Sequence, residues 1–194
     1  MHLTILLINP WIDDFTAGSA GASPPGLFKV AEYLSAYEVA LSCIDCTAAY
    51  EMNHFGAGRF RAGGAAVQDI ASRTRRCCGI SSEEFRGRVA AAAPVDLVFI
   101  APLMSCWYPG IRRAAALVRE QLGDLPVVLG GAYATRHPEH AVHHSGADFI
   151  YQGAVGAGIN AALSTFGFRL KRRRGHRGGS GSDVRLDVKA ENSP

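Results

Sequence analysis

The tightest constraint on this chain is its first stretch, Leu3 to Ile8, an almost unbroken apolar run. A strand with one wet face alternates polar and apolar residues; one that is apolar throughout has to be covered on both sides, as in a parallel sheet between helices. Four further runs read as strands: Glu38–Asp45, Asp96–Ala101, Pro126–Leu129 and Asp148–Tyr151. Between them apolar residues recur at helical spacing. Leu27, Val30, Ala31 and Leu34 predict a helix over 26–37, and Ala114, Ala115, Leu117 and Val118 one over 111–121. Helices are also predicted over 137–144, where Pro138 suits a first turn, and over 156–165. Strand and helix in alternation mean α/β: a flavodoxin-like (Rossmann-like), doubly wound parallel five-stranded sheet, order 2-1-3-4-5.

One stretch breaks the alternation. Residues 47–94 are glycine- and arginine-rich before a helix-like segment from Glu83 to Ala93, and the part from about 47 to 80 is expected to be a long insertion. The expected domain covers 1–168. Residues 169–194 form a basic tail with almost no apolar content, expected to be disordered. That tail holds 8 of the 20 Lys and Arg but 3 of the 17 Asp and Glu, so the body is slightly acidic although the whole chain carries +3. No apolar run reaches the roughly 20 residues of a membrane span, and the N-terminus lacks the marks of a signal peptide, so the expected location is cytoplasmic, with no membrane partner. The five cysteines make no disulfide framework, and Cys43-x-x-Cys46 has no second pair at zinc-ribbon spacing.

In such a sheet ligands bind beyond the carboxyl ends of the strands, where strand order reverses. The loops there read Asn9-Pro10-Trp11 with Pro25-Gly26, then Pro102 to Gly110, then Gly130-Gly131-Ala132-Tyr133-Ala134-Thr135. None carries Gly-x-Gly-x-x-Gly or a Walker Gly-Lys-Ser/Thr, which disfavours nucleotide phosphate binding. Gly130-Gly131 permits either a close backbone approach or a tight turn.

These residues resemble a known family. Cobalamin-binding domains of this fold carry Ser-x-Leu after the third strand, a spacer, and Gly-Gly after the fourth; here stand Ala101-Pro102-Leu103, 26 residues, and Gly130-Gly131. Ile8-Asn9-Pro10, Pro24-Pro25-Gly26-Leu27, Ile44-Asp45, the run Met104 to Gly110 and the stretch Val127 to Glu139 resemble one subgroup, the front domains of cobalamin-dependent radical SAM proteins. The resemblance implies a cofactor site at Asn9, Pro10, Trp11, Pro25, Gly26, Leu103, Met104, Ser105, Trp107, Tyr108, Gly130, Gly131, Ala132, Tyr133, Thr135 and Gly153. Trp11, Met104, Trp107 and Tyr108 would border the corrin.

The departures shape the expectation. The histidine loop that supplies a lower cobalt ligand in other cobalamin domains is replaced by Asn9-Pro10-Trp11, implying base-off cobalamin without a histidine ligand. Ala101 replaces the serine of Ser-x-Leu, and Gly153-Ala154-Val155-Gly156 lacks the subgroup's acid. There is no Cys-x-x-x-Cys-x-x-Cys, hence no iron–sulfur site within this chain. The resemblance therefore implies a binding module truncated before the radical SAM barrel, with no complete catalytic site or catalytic residue of its own and a separate radical SAM domain or subunit as partner. The alternative is a flavodoxin-like nucleotide-binding or receiver-type signalling domain using Asp13, Asp14 and Asp45. His140 and His144 stand four apart on a predicted helix without the Glu of a metalloprotease motif, which favours a solvated face over a metal site. Nucleic-acid binding by Lys171-Arg172-Arg173-Arg174 would be weak and sequence-blind, with no aromatic among them to stack on bases.

Overall fold

The computed structural model describes residues 3–14, 25–47, 76–102 and 107–173. The chain runs β1 (Leu3–Asn9), β2 (Ile12–Asp14), α1 (Pro25–Ser35), β3 (Val39–Asp45), β4 (Arg76–Cys78) and α2 (Ser82–Ala92). It continues β5 (Leu97–Ile100), α3 (Tyr108–Leu122), β6 (Val127–Leu129), α4 (Gly131–Arg136), α5 (Pro138–His144), β7 (Phe149–Ile150) and α6 (Val155–Thr165). Five of the strands form one sheet in the order β3-β1-β5-β6-β7. All its neighbours pair in parallel, with β1 held between β3 (Leu3↔Val39 to Asn9↔Asp45) and β5 (Ile5↔Leu97 to Ile8↔Ile100). Numbered among themselves, these five strands stand 2-1-3-4-5, the order expected from the alternation.

The unbroken apolar run of β1 now has its reason, since Ile5, Leu6, Leu7 and Ile8 are all buried and feed two different cores. Leu6 and Ile8 point to the face covered by α2, α3 and α5, among Phe85, Val89, Ile111 and Val118. Ile5 and Leu7 point to the other face, covered by α1 and α6, among Leu27, Val30, Leu34, Ile159 and Leu163. Helix α2 opens on a side-chain cap: Ser81 Oγ accepts from Glu84 N at 3.0 Å. Arg119 binds the Asp148 carboxylate with one nitrogen 2.8 Å from each oxygen, and Asp148 also takes Val127 N at 2.8 Å, joining α3 to the start of β6 and the approach to β7.

Four local features differ from the sequence expectation. Tyr108 to Gly110, read as loop, form the first turn of α3, with Pro109 near its start. Gly131 to Arg136, also read as loop, form α4; this short helix has no long apolar stripe to announce it. In the irregular stretch, Arg76–Cys78 pair antiparallel with Ile12–Asp14, a contact between segments far apart in sequence that no local pattern could signal. Arg169 to Arg173, expected to open the tail, lie against the entry to β3. Glu38 N donates to Lys171 O at 2.7 Å, Arg173 N donates to Ala36 O at 3.0 Å, and Lys171 pairs with Glu38 at 2.8 Å. Residues 48–75 of the insertion expected at about 47–80, and residues 174–194, lie outside the described residues. Among the described residues no helix is long and apolar enough to cross a membrane.

Candidate functional site at the carboxyl edge of the sheet

A parallel sheet carries all its strand ends to one edge, so residues distant in sequence meet there. Asn9 ends β1, Ala101-Pro102 follow β5, Gly130-Gly131 follow β6 and Gly153 follows β7, while Pro25-Gly26 and Trp107-Tyr108 stand at the starts of α1 and α3. They pack closely. A side chain on Gly26 would sit 3.7 Å from Ala101 Cβ, and one on Gly131 would sit 3.2 Å from Pro102 O. Gly131 (φ +86°) and Gly153 (φ +80°) occupy left-handed backbone that a side chain would strain. Thr135 Oγ1 ties the two loops together, donating to Gly131 O at 3.0 Å and accepting from Gly153 N at 3.4 Å. Leu103, Met104 and Ser105 lie outside the described residues.

Where β1 and β3 end, the edge carries a polar knot. Asn9 Nδ2 donates to Asp45 Oδ1 at 2.8 Å, and the same oxygen accepts from Thr47 N at 2.8 Å and Thr47 Oγ1 at 2.6 Å. Asp45, the residue of the nucleotide alternative, thus spends one carboxylate oxygen on holding β1 and β3 in register. Two buried polar atoms are left without a partner among the described residues: Asn9 Oδ1, an acceptor, and Trp107 Nε1, a donor. Such orphans are rare in folded proteins, because each forfeits its hydration for nothing unless something binds it. The first turns of α3, α4 and α6 also have no side-chain cap, which keeps backbone N–H donors at this edge.

The aromatic residues separate into different roles. Trp11 is fully buried: its Nε1 donates to Ile80 O at 2.6 Å, its ring packs on Phe85 at 4.7 Å, and the Arg113 guanidinium lies 4.5 Å from it. Gly110 is small because the first turn of α3 rests on the Trp11 backbone. Trp107 is also buried, while Tyr108 is partly exposed beside His140 and His144, at 4.9 and 6.0 Å between ring centres. Tyr133 of α4 is buried, with its hydroxyl 2.7 Å from His140 Nδ1; Ala132 beside it is half-buried. Desolvation first, then His144 and His137, push His140 below the usual histidine range.

Gly130 has a partner that sequence reasoning missed. Its φ of −134° is extended backbone open to any residue, yet a side chain there would collide with the ring of Tyr151, which lies over it. The other end of that ring lies against Gly158 of α6, and a side chain on Gly156 would likewise meet the ring of Tyr33 of α1. A tyrosine ending a strand two residues before a run of helix-opening glycines was the available signal.

Burial lifts the Cys43 thiol to about 11 and the Cys46 thiol well above its ordinary range, with the Asp45 charge adding to both. Neither thiol is thereby activated as a nucleophile. Among the described residues no group of three or more His, Cys, Asp or Glu could hold a metal ion.

No family model matches the chain, and no curated protein matches it. Solved structures with a related chain course include the methanol:cobalamin methyltransferase complex MtaBC from Methanosarcina barkeri (TM-score 0.49, 12% identity, 87% of this chain and 48% of that one). Others are the monomethylamine corrinoid protein of Methanosarcina barkeri (0.49, 13%, 84% and 57%) and a cobalamin-binding protein from Desulfitobacterium hafniense DCB-2 (0.46, 14%, 82% and 58%). This chain spans between 48% and 58% of their lengths, and all three likenesses are remote.

Proposed function

We propose that this chain is a cobalamin-binding module, akin to the front domain of a radical SAM enzyme and working with a separate catalytic domain or subunit. The observation that carries the reading is the spacing from Leu103 to Gly130 together with its flanking motifs, because their described members gather at one sheet edge. The fit to a corrinoid rests on the orphaned atoms. The amides around a corrin rim each donate and accept, which matches an unpaired acceptor on Asn9 and an unpaired donor on Trp107. Left-handed Gly131 and Gly153 allow backbone to lie close against a flat ligand, and no described residue stands within 4 Å of where a Gly153 side chain would point.

In this reading Asn9 and Trp107 anchor rim amides, Tyr108 and Thr135 border the ring, and Gly130-Gly131 admit the nucleotide tail beside β6. Trp11 supports the site from beneath, holding α3 and Ile80 in place. Residues 9–14 offer no imidazole, which favours base-off binding without a histidine ligand. Cobalamin, when bound, supplies a cobalt centre able to carry a methyl group; the protein's part is to orient it and exclude water. The nucleotide alternative is weaker, because Asp45 is engaged in the knot with Asn9 and Thr47.

The test is a titration of the full chain with hydroxocobalamin, followed by its visible spectrum. A saturable base-off spectrum is expected, weakened at least about tenfold by Thr135→Trp at an exposed position. A folded protein that leaves the spectrum of free hydroxocobalamin unchanged overturns the reading.

A further inference from the structure

Glycine is explained by backbone at some positions of the edge and not at others. Gly131 and Gly153 need it for positive φ. Gly130 does not, since its φ is −134°, and Gly158 lies inside α6, where glycine costs about 1 kcal/mol against alanine. What these two share is Tyr151: its ring lies against both, the hydroxyl end by Gly130 and the base of the ring by Gly158. The two glycines therefore line the slot that the ring fills. Leu27, Ala101, Val128 and Ile159 belong to the same apolar core as the ring, and the residue is 6% exposed. Among the described residues no side-chain hydrogen bond contributes to the state of its phenol, which burial raises to about 12. The ring is held by shape, and shape would hold another flat aromatic equally well.

We infer that Tyr151 is a displaceable plug, seated in the glycine-walled slot beside β6 that the nucleotide tail of a cobalamin would enter, and that it sets the preference between corrinoids with and without that tail. The inference rests on the corrinoid reading given above and concerns one part of the ligand. The phenol fills that space, so it and the heteroaromatic base of the tail exclude each other. A tailed corrinoid has to expel Tyr151, and its apparent affinity falls by the fraction of time the slot stands open. A tail-less corrinoid meets the rim groups alone and is indifferent to the plug.

The experiment titrates the full chain with hydroxocobalamin and with aquocobinamide, which lacks the nucleotide tail, in wild type, Tyr151→Ala and Tyr151→Phe. Tyr151→Ala is expected to bind hydroxocobalamin at least about tenfold more tightly, as for a slot open a tenth of the time or less. Aquocobinamide affinity should stay the same, and Tyr151→Phe, which keeps the ring, should behave as wild type. If Tyr151→Ala does not fold, wild-type protein labelled with 3-fluorotyrosine gives the same answer by fluorine NMR. The Tyr151 resonance, assigned by its absence in Tyr151→Phe, should shift with hydroxocobalamin and stay put with aquocobinamide. Affinities for the two ligands that move together, or a resonance that neither or both ligands move, overturn this inference alone. A folded wild type that binds neither ligand overturns the corrinoid reading and this inference with it.

Discussion

The two faces of the sheet are packed on different principles. On the face of α2, α3 and α5, large side chains interlock: Trp11 is hydrogen-bonded to Ile80, packed at a tilt on Phe85 and covered by Arg113. On the face of α1 and α6, part of the contact is made by tyrosine rings laid on bare backbone, Tyr151 on Gly130 and Gly158, and Tyr33 on Gly156. An interlocked contact loses directed bonds and opens a cavity when parted. A ring on a glycine can slide out, leaving a flat slot behind. The first face is built to stay closed and the second can open, which places adaptability on the side where the switch-point loops meet α1 and α6.

That contrast can be broken at several points. Trp11→Ala should cost about 3–5 kcal/mol, the range for emptying a fully buried large aromatic site, read as a lower urea midpoint. A loss under about 1 kcal/mol would mean that the first face is not interlocked. Gly158→Ala should destabilise the wild type by about 1–3 kcal/mol, because the new methyl collides with the Tyr151 ring and overpacking outweighs the gain in helix propensity. In a Tyr151→Ala background the same change should stabilise instead, so the double-mutant cycle reverses sign. Two additive effects would show that the ring and Gly158 do not compete.

The third test uses pH. The Tyr151 phenol is raised from 10.0 to about 12 in the folded protein, so between those values the unfolded chain loses its proton first. The folded state then binds more protons than the unfolded one, and its stability falls as pH rises, by about 1.4 kcal/mol per pH unit for one such group. Tyr33 and Tyr133 are raised in the same direction. Denaturation followed between pH 10 and 12 should therefore show a shallower alkaline slope in Tyr151→Phe than in wild type. An unchanged slope would mean that the phenol is not buried on the second face.

Much of the architecture was legible because it depends on local periodicity. The apolar run at Leu3–Ile8 demanded a two-sided sheet, and the stripe at Leu27, Val30, Ala31 and Leu34 became the buried face of α1. The β2–β4 ribbon was not legible, since three-residue strands paired across some sixty residues leave no periodic trace. Nor was α4, which a Gly-Gly start disguised as a loop. The edge location of Asn9, Trp107 and Gly131 could be reasoned from strand ends. The burial of Trp11 and the ring over Gly130 could not, because each depends on a partner, Ile80 or Tyr151, that only the folded chain brings near.

The most direct measurement is amide hydrogen exchange on the full chain with and without saturating hydroxocobalamin, compared face by face. The account predicts added protection at the carboxyl edge, in peptides covering 25–31, 130–135 and 151–159, with α2 (82–92) unchanged. Protection confined to α2, or none at any of these peptides, would contradict it.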